Sequence, residues 1–313
     1  MRFNTRARLD TRRTVDRGRG AGGGGPAGFG GGGLPIPTGL AGGGIGGVVV
    51  LVLVVVVLQF VGGGGGTSSS GGFDTSRLGS GEERYASCET GADANESVDC
   101  ARVAVENSLH DFWSRTLPEQ TGTAYEEATL ATFTGSVGTG CGGADSSVGP
   151  FYCPVDDTVY LDTTFFDEVL EQQLGGPDGG FVEPYVLAHE YGHRVQDLLG
   201  TMGQVRTQQG PTSDAVRLEL QADCYAGMWA AAATSTETAD GEPLIVELTQ
   251  EDVQQAVDAA EAIGDDRIQE KAQGQVTPET WTHGSAEQRV RWFRTGFEQG
   301  TVEACDTFAA RTL

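Results

Sequence analysis

The sequence predicts an α+β domain, mostly helical with a small sheet, preceded by one membrane-spanning helix. Three observations carry this expectation. Residues 45–61, IGGVVVLVLVVVVLQFV, are an uncharged apolar run that as a helix measures about 25 Å, near the short limit for a bilayer core. Two stretches of β-branched and aromatic composition, AYEEATLATFTG and DTVYLDTTFF, read as strands. After them come two helical patterns rich in chemistry, one around HEYGH at 189–193 and the other VRLELQADCYAGMWA.

Taken in order, residues 1–44 are rich in arginine and glycine and are expected to be a disordered cytoplasmic head without a core. Seven arginines against Asp10 and Asp16 give residues 1–61 a net charge of +5, leaving −29 on residues 62–313 of the chain's −24. Arginines before residues 45–61 and acids after them orient a single-pass span with the N-terminus cytoplasmic and the body outside the cell membrane. A cleavable signal peptide fits less well, because the head is long and VGGGGG offers no A-x-A site. Residues 62–84, rich in Gly and Ser, read as a linker, and residues 85–313 are enough for one sizeable domain. An acidic body of this charge argues against nucleic acid as a partner.

Within the domain, ARVAVENSLHDFWSRTL, from residue 101, predicts a helix with Val103, Val105, Leu109 and Phe112 inward. His110 lies on it without a partner nearby in sequence and reads as a half-exposed structural histidine. All six cysteines follow the apolar run. An even number in an exported domain suggests disulfides, and spacing favours Cys88 with Cys100 and Cys141 with Cys153, which leaves Cys224 with Cys305. Thr164 with Asp167, Thr249 with Asp252 and Ser285 with Gln288 resemble capping boxes that open later helices.

HEYGH carries two of the chain's four histidines. Four residues apart on a helix, His189 and His193 share a face and can reach one metal, while Glu190 at the edge of that face is placed to act on a water without being a ligand. Two imidazoles leave a tetrahedral zinc short of a protein donor. The helix expected over residues 214–233 supplies Glu219 as the third ligand, with Asp223 one turn on as the acceptor for a ligand histidine's free ring N–H. The competing reading pairs both carboxylates with Arg217 or Arg206 at the surface. A metzincin continuation is excluded, since Gln196 and Leu199 stand at its diagnostic places. Cys153, the upstream thiol alternative, sits in a setting that suits a disulfide better.

AHEYGHRVQ, RLELQADCYAGMWA, PFYCPVDDTVYLD, AIGDD and THGSAEQRVRWF together resemble the putative neutral zinc metallopeptidase family of bacteria, over roughly residues 85–310. The resemblance implies a zincin-like domain with one Zn²⁺ per chain on His189, His193 and Glu219, and with Asp223 beside them. The expected activity is hydrolysis of peptide or protein substrates outside the cytoplasmic membrane by water that Glu190 activates. His283, just before a helix, is a candidate donor to the oxyanion, with Arg289, Tyr191 and Tyr225 as lesser candidates. Two other functions use the same residues: a metal-stabilised envelope-binding domain without catalysis, and an amide hydrolase of peptidoglycan peptides.

Overall fold

A computed structural model describes residues 1–19 and 84–313, apart from Gln173, Gly175 and Asp178. The chain opens with β1 (Arg2–Phe3) and β2 (Thr14–Arg19), and resumes with α1 (Gly91–Glu96) and α2 (Val98–Thr121). Then come β3 (Thr129–Thr134), the hairpin β4 (Ser136–Thr139) and β5 (Gly142–Asp145), and the pair β6 (Phe151–Cys153) and β7 (Thr158–Asp162). Helices α3 (Val182–Leu198) and α4 (Asp214–Ala232) follow, then β8 (Ile245–Glu247), α5 (Gln250–Ala262), α6 (Asp265–Gln273) and α7 (Ala286–Gln299).

The principal sheet has the order β2-β3-β7-β6, parallel except for the antiparallel β6 at its edge. Alternation along β3 divides the interior. Leu130 joins Val159, Leu161 and Tyr152 in the main core against the helices, whereas Ala131 and Phe133 join Phe151, Tyr160 and Cys153 in a smaller core beneath Val137 and Ala144 of the β4–β5 hairpin. Helix α2 is capped by Ser97 and ended by Gly122 at φ 76°, and it buries Val103, Val105, Leu109 and Phe112 as its apolar spacing predicts. His110 is half-buried there against Tyr125. Helices α4 and α7 touch through glycine: a Cβ on Gly296 would lie 1.8 Å from the Cys224 carbonyl oxygen, and one on Gly227 2.0 Å from that of Phe293. Disulfides join Cys88 to Cys100, Cys141 to Cys153 and Cys224 to Cys305, so the expected pairing is the observed one.

The expectation of a disordered head over residues 1–44 is corrected for residues 1–19. Strand β2 pairs in parallel with β3, Thr14 opposite Leu130 and Asp16 opposite Thr132, and β1 pairs with β8. Phe3 and Ala7 are buried, and the Asn95 side chain accepts from the Phe3 N–H at 2.9 Å and donates to its carbonyl at 3.0 Å. The Met1 ammonium meets Asp252 Oδ1 at 2.6 Å, and Arg13 Nε donates to the buried Glu106 Oε1 at 2.7 Å. The composition of residues 1–44 is dominated by the glycine tracts after residue 20, which masks the alternating apolar positions before them.

The apolar run at 45–61 lies outside the described residues, as does the expected linker up to Arg84, whose guanidinium pairs with Asp99 at 2.8 Å. Among the described residues no helix is long and apolar enough to cross a membrane. The expected single-pass topology rests on residues outside those described, and the β2–β3 pairing places Thr14–Arg19 in one sheet with Thr129–Thr134. The expected capping box at Thr164 is absent too: Thr164 Oγ1 donates to Asp162 Oδ1 at 2.8 Å, and the turn that follows is a π-helix, Phe166–Glu171. Those at Thr249 and Ser285 form as expected.

Candidate metal centre

Helix α3 is buried along nearly its whole length, so its polar residues must find partners inside the protein. His189 and His193 project from one face, and Glu219 of α4 comes up against them. Glu219 Oε2 lies 3.1 Å from His189 Nε2 and 3.4 Å from His193 Nε2, and the three candidate donor atoms all lie within 4.8 Å of one another. Donors on tetrahedral zinc, with bonds of about 2.0 Å, stand about 3.3 Å apart.

The far side of each ring fixes its tautomer. Asp223 Oδ1 lies 2.8 Å from His189 Nδ1, and the neighbouring Arg289 and His189 hold Asp223 well below the usual carboxylate range against the upward push of burial. An ionised carboxylate only accepts, so Nδ1 donates. Gln196 donates through Nε2 to the Leu218 carbonyl at 2.6 Å, which turns its Oε1 to His193 Nδ1 at 2.8 Å, and that nitrogen donates as well. Each ring therefore turns its Nε2 to Glu219, and the two nitrogens and the carboxylate form a buried set that a proton or a metal ion between them would satisfy.

The electrostatics agree. Burial by itself would lower the His189 pKa, yet Asp223 and Glu219 carry it up to about 10. Glu219 is held well below its ordinary value, despite burial, by His193, His283 and His189. A field that favours a proton on this cluster favours a divalent ion in its place.

Glu190 is buried beside the cluster. Its Oε2 has no hydrogen-bond partner. Burial, partly offset by His193 and His189, raises its pKa, which is the direction a group that exchanges protons near neutrality needs. His283 Nε2 lies 4.0 Å from Glu219 Oε2, on the border of the same site.

The family model described as "Putative neutral zinc metallopeptidase" matches residues 1–308. The chain belongs to this family. It is 51% identical over 230 residues to "Uncharacterized protein Rv2575" of Mycobacterium tuberculosis, which covers 73% of this chain and 76% of that protein. It has the same similarity to "Uncharacterized protein Mb2605" of Mycobacterium bovis. With "Uncharacterized protein YpfJ" of Escherichia coli K12 it shares 41% identity over 207 residues, 64% of this chain and 68% of that one. No solved structure matches it.

Zinc is the metal that the family implies for the three donors. The family's match begins at residue 1, so it takes in the folded N-terminal segment that the resemblance over residues 85–310 left out. Neither surface arginine competes for the carboxylates: Arg217 donates to the carbonyls of Thr307 and Ala310, and Arg206 to that of Gly203. Cys153 is in its disulfide.

The lesser oxyanion candidates point elsewhere. Arg289 is fully buried and grips Asp223 with Nε to Oδ2 at 2.8 Å and Nη2 to Oδ1 at 2.9 Å. Tyr191 turns to Glu106 at 3.5 Å, and Tyr225 packs edge-on against Trp113. Sequence reasoning missed the roles of Arg289, of Tyr185, which donates to Asp223 at 2.7 Å, and of Gln196. The signal for Arg289 was its place six residues after His283 in THGSAEQR, at the start of a capped helix.

Proposed function

We propose that this protein is a zinc-dependent peptidase that hydrolyses peptide bonds in peptide or protein substrates. The observation that carries the reading is the unpartnered, buried Glu190 Oε2 beside the His189–His193–Glu219 cluster. A site whose metal only stabilised the fold would have no use for a desolvated carboxylate oxygen next to it, and an unsatisfied buried polar atom costs about 1–3 kcal/mol. A bound zinc supplies Lewis acidity to the scissile carbonyl and to the attacking water.

The chain's residues supply the remainder. His189, His193 and Glu219 hold the metal, and Asp223 and Gln196 keep the two rings in the ligating tautomer. Glu190, buried beside the cluster, takes the proton of the water and passes it to the leaving amine. His283 Nε2 donates to the oxygen on which charge develops. The outer edge of β6 is where an extended substrate backbone would pair.

Location outside the cytoplasm is part of the same proposal and is supported by three disulfides that leave no free cysteine among the described residues. Residues 1–19 share that compartment, because they share the sheet.

The test is metal content and proteolysis on the full-length protein, expressed with oxidising export. One zinc per chain is expected in the wild type and in Glu190→Gln, and loss of zinc in His193→Ala and Glu219→Ala. Casein or peptide-library cleavage should fall by about 10²–10⁴-fold in Glu190→Gln. Unchanged cleavage in that variant would remove the peptidase reading, and full zinc retention in Glu219→Ala would remove the ligand set.

A further inference from the structure

His283 stands on the loop between α6 and α7, and loops hold a side chain less firmly than helices do. Here a single carboxylate gathers that loop. Asp265 Oδ2 accepts the backbone N–H groups of Thr282 at 2.8 Å, His283 at 2.7 Å and Gly284 at 3.0 Å, and the Asp265 N–H donates to the Gly284 carbonyl at 2.9 Å. Its other oxygen, Oδ1, lies 3.7 Å from His283 Nδ1. The same ring nitrogen is 2.8 Å from Thr282 Oγ1, so the Nδ1 edge is held and Nε2 is the atom turned to Glu219.

The contact is built from both sides. Asp265 is the first residue of α6, yet its carboxylate serves a segment 17 to 19 residues further on. Asp266 Oδ1 accepts the Ala286 N–H at 2.8 Å, and Arg289 Nη1 donates to the Ile263 carbonyl at 3.3 Å. Gly264 allows the approach, because a Cβ there would lie 2.4 Å from the Ala286 nitrogen. Arg289 thus ties this junction to Asp223, and through it to His189.

We propose that Asp265 is a positioning residue of the active site, acting through His283 by fixing the loop that aims Nε2 at the developing oxyanion. The proposal rests on the peptidase reading above and assigns Asp265 no contact with substrate.

The experiment uses the zinc-loaded full-length protein with Asp265→Ala, Asp265→Asn, His283→Ala and the Asp265→Ala/His283→Ala pair. Asp265→Ala should lower kcat by about 10–10²-fold, the scale of a misplaced catalytic group, with KM within about twofold and zinc still at one per chain. Asp265→Asn should recover most of the loss, since an amide oxygen accepts the same three N–H groups. In the His283→Ala background Asp265→Ala should cost nothing more.

Long-range proton–nitrogen spectra of the His283 ring give a reading free of activity: one tautomer in wild type, averaging in Asp265→Ala. Full activity in Asp265→Ala, an equal loss in the His283→Ala background, or an unchanged ring spectrum would each overturn the proposal. Glu190→Gln in the same assay separates the two failures. If it cleaves as wild type does, the peptidase reading falls, and the ring spectrum alone decides whether Asp265 positions His283.

Discussion

Replacing Arg13 by alanine should destabilise the protein by an amount that grows with pH, because Arg13 is the counter-charge of a buried acid. Glu106 is fully buried on α2, and its Oε1 takes Arg13 Nε at 2.7 Å while Oε2 takes the Asn107 amide at 2.7 Å. Burial outweighs the pull of Arg13 and raises the Glu106 pKa from 4.5 to about 7. A carboxyl that binds its proton more tightly when folded contributes stability that is fully present below pH 4.5 and is lost as pH rises to about 7. That interval amounts to about 3 kcal/mol.

Without Arg13 the folded-state pKa rises further, so the loss continues above pH 7. At pH 5.5 the acid is mostly neutral in the folded state of both proteins, and Arg13→Ala should cost no more than about 1 kcal/mol, for the contact with the half-buried Asp10 at 3.1 Å. At pH 8.5 the deficit should reach about 3 kcal/mol, the low end for breaking a buried pair. Urea unfolding of the two proteins at both pH values measures this, and taking the difference cancels the other titrating groups. Equal deficits at the two pH values would refute the account of Glu106. No deficit at pH 8.5 would refute the docking of residues 1–19 itself.

Asp223→Ala should weaken zinc binding by about 10–100-fold while leaving one site per chain, as competition with a chelator would read; unchanged affinity would remove Asp223 from the support of His189. A second test addresses topology. Arg12 and Glu287 are both well exposed, with side chains 85% and 84% accessible. Single Arg12→Cys and Glu287→Cys variants should label together or not at all with a membrane-impermeant maleimide on intact cells, and opposite labelling would show that residues 1–19 and 84–313 are separated by a membrane.

What was legible in the sequence was what depends on neighbours along the chain. His189 and His193 one turn apart, Glu219 and Asp223 one turn apart, and the cysteine pairs 12 residues apart each follow from local geometry. The helix carrying Glu219 was expected over residues 214–233 and runs Asp214–Ala232. Asp223 meeting a ring N–H was within reach because a carboxylate on an apolar helix needs a partner. Its second partner, Arg289, was not, since that pair joins positions 66 residues apart.

The N-terminal error has the same origin and a larger consequence. Hydropathy and composition are window properties, so the run at 45–61 and the glycine tracts before it were read correctly as composition and then extended to residues whose fate is decided elsewhere. Val15 and Thr14 are ordinary strand residues that find their place only opposite Ala131 and Leu130, more than a hundred positions later. Once they are there, the charge that composition assigned to a membrane-orienting head acts inside the fold. Arg13 neutralises Glu106, Glu106 accepts from Tyr191, and Tyr191 is the middle residue of HEYGH. The segment that appeared furthest from the candidate metal centre in sequence therefore supports the helix that carries two of its candidate ligands. A fragment that began at residue 85 would expose the β3 edge and leave Glu106 buried without its cation.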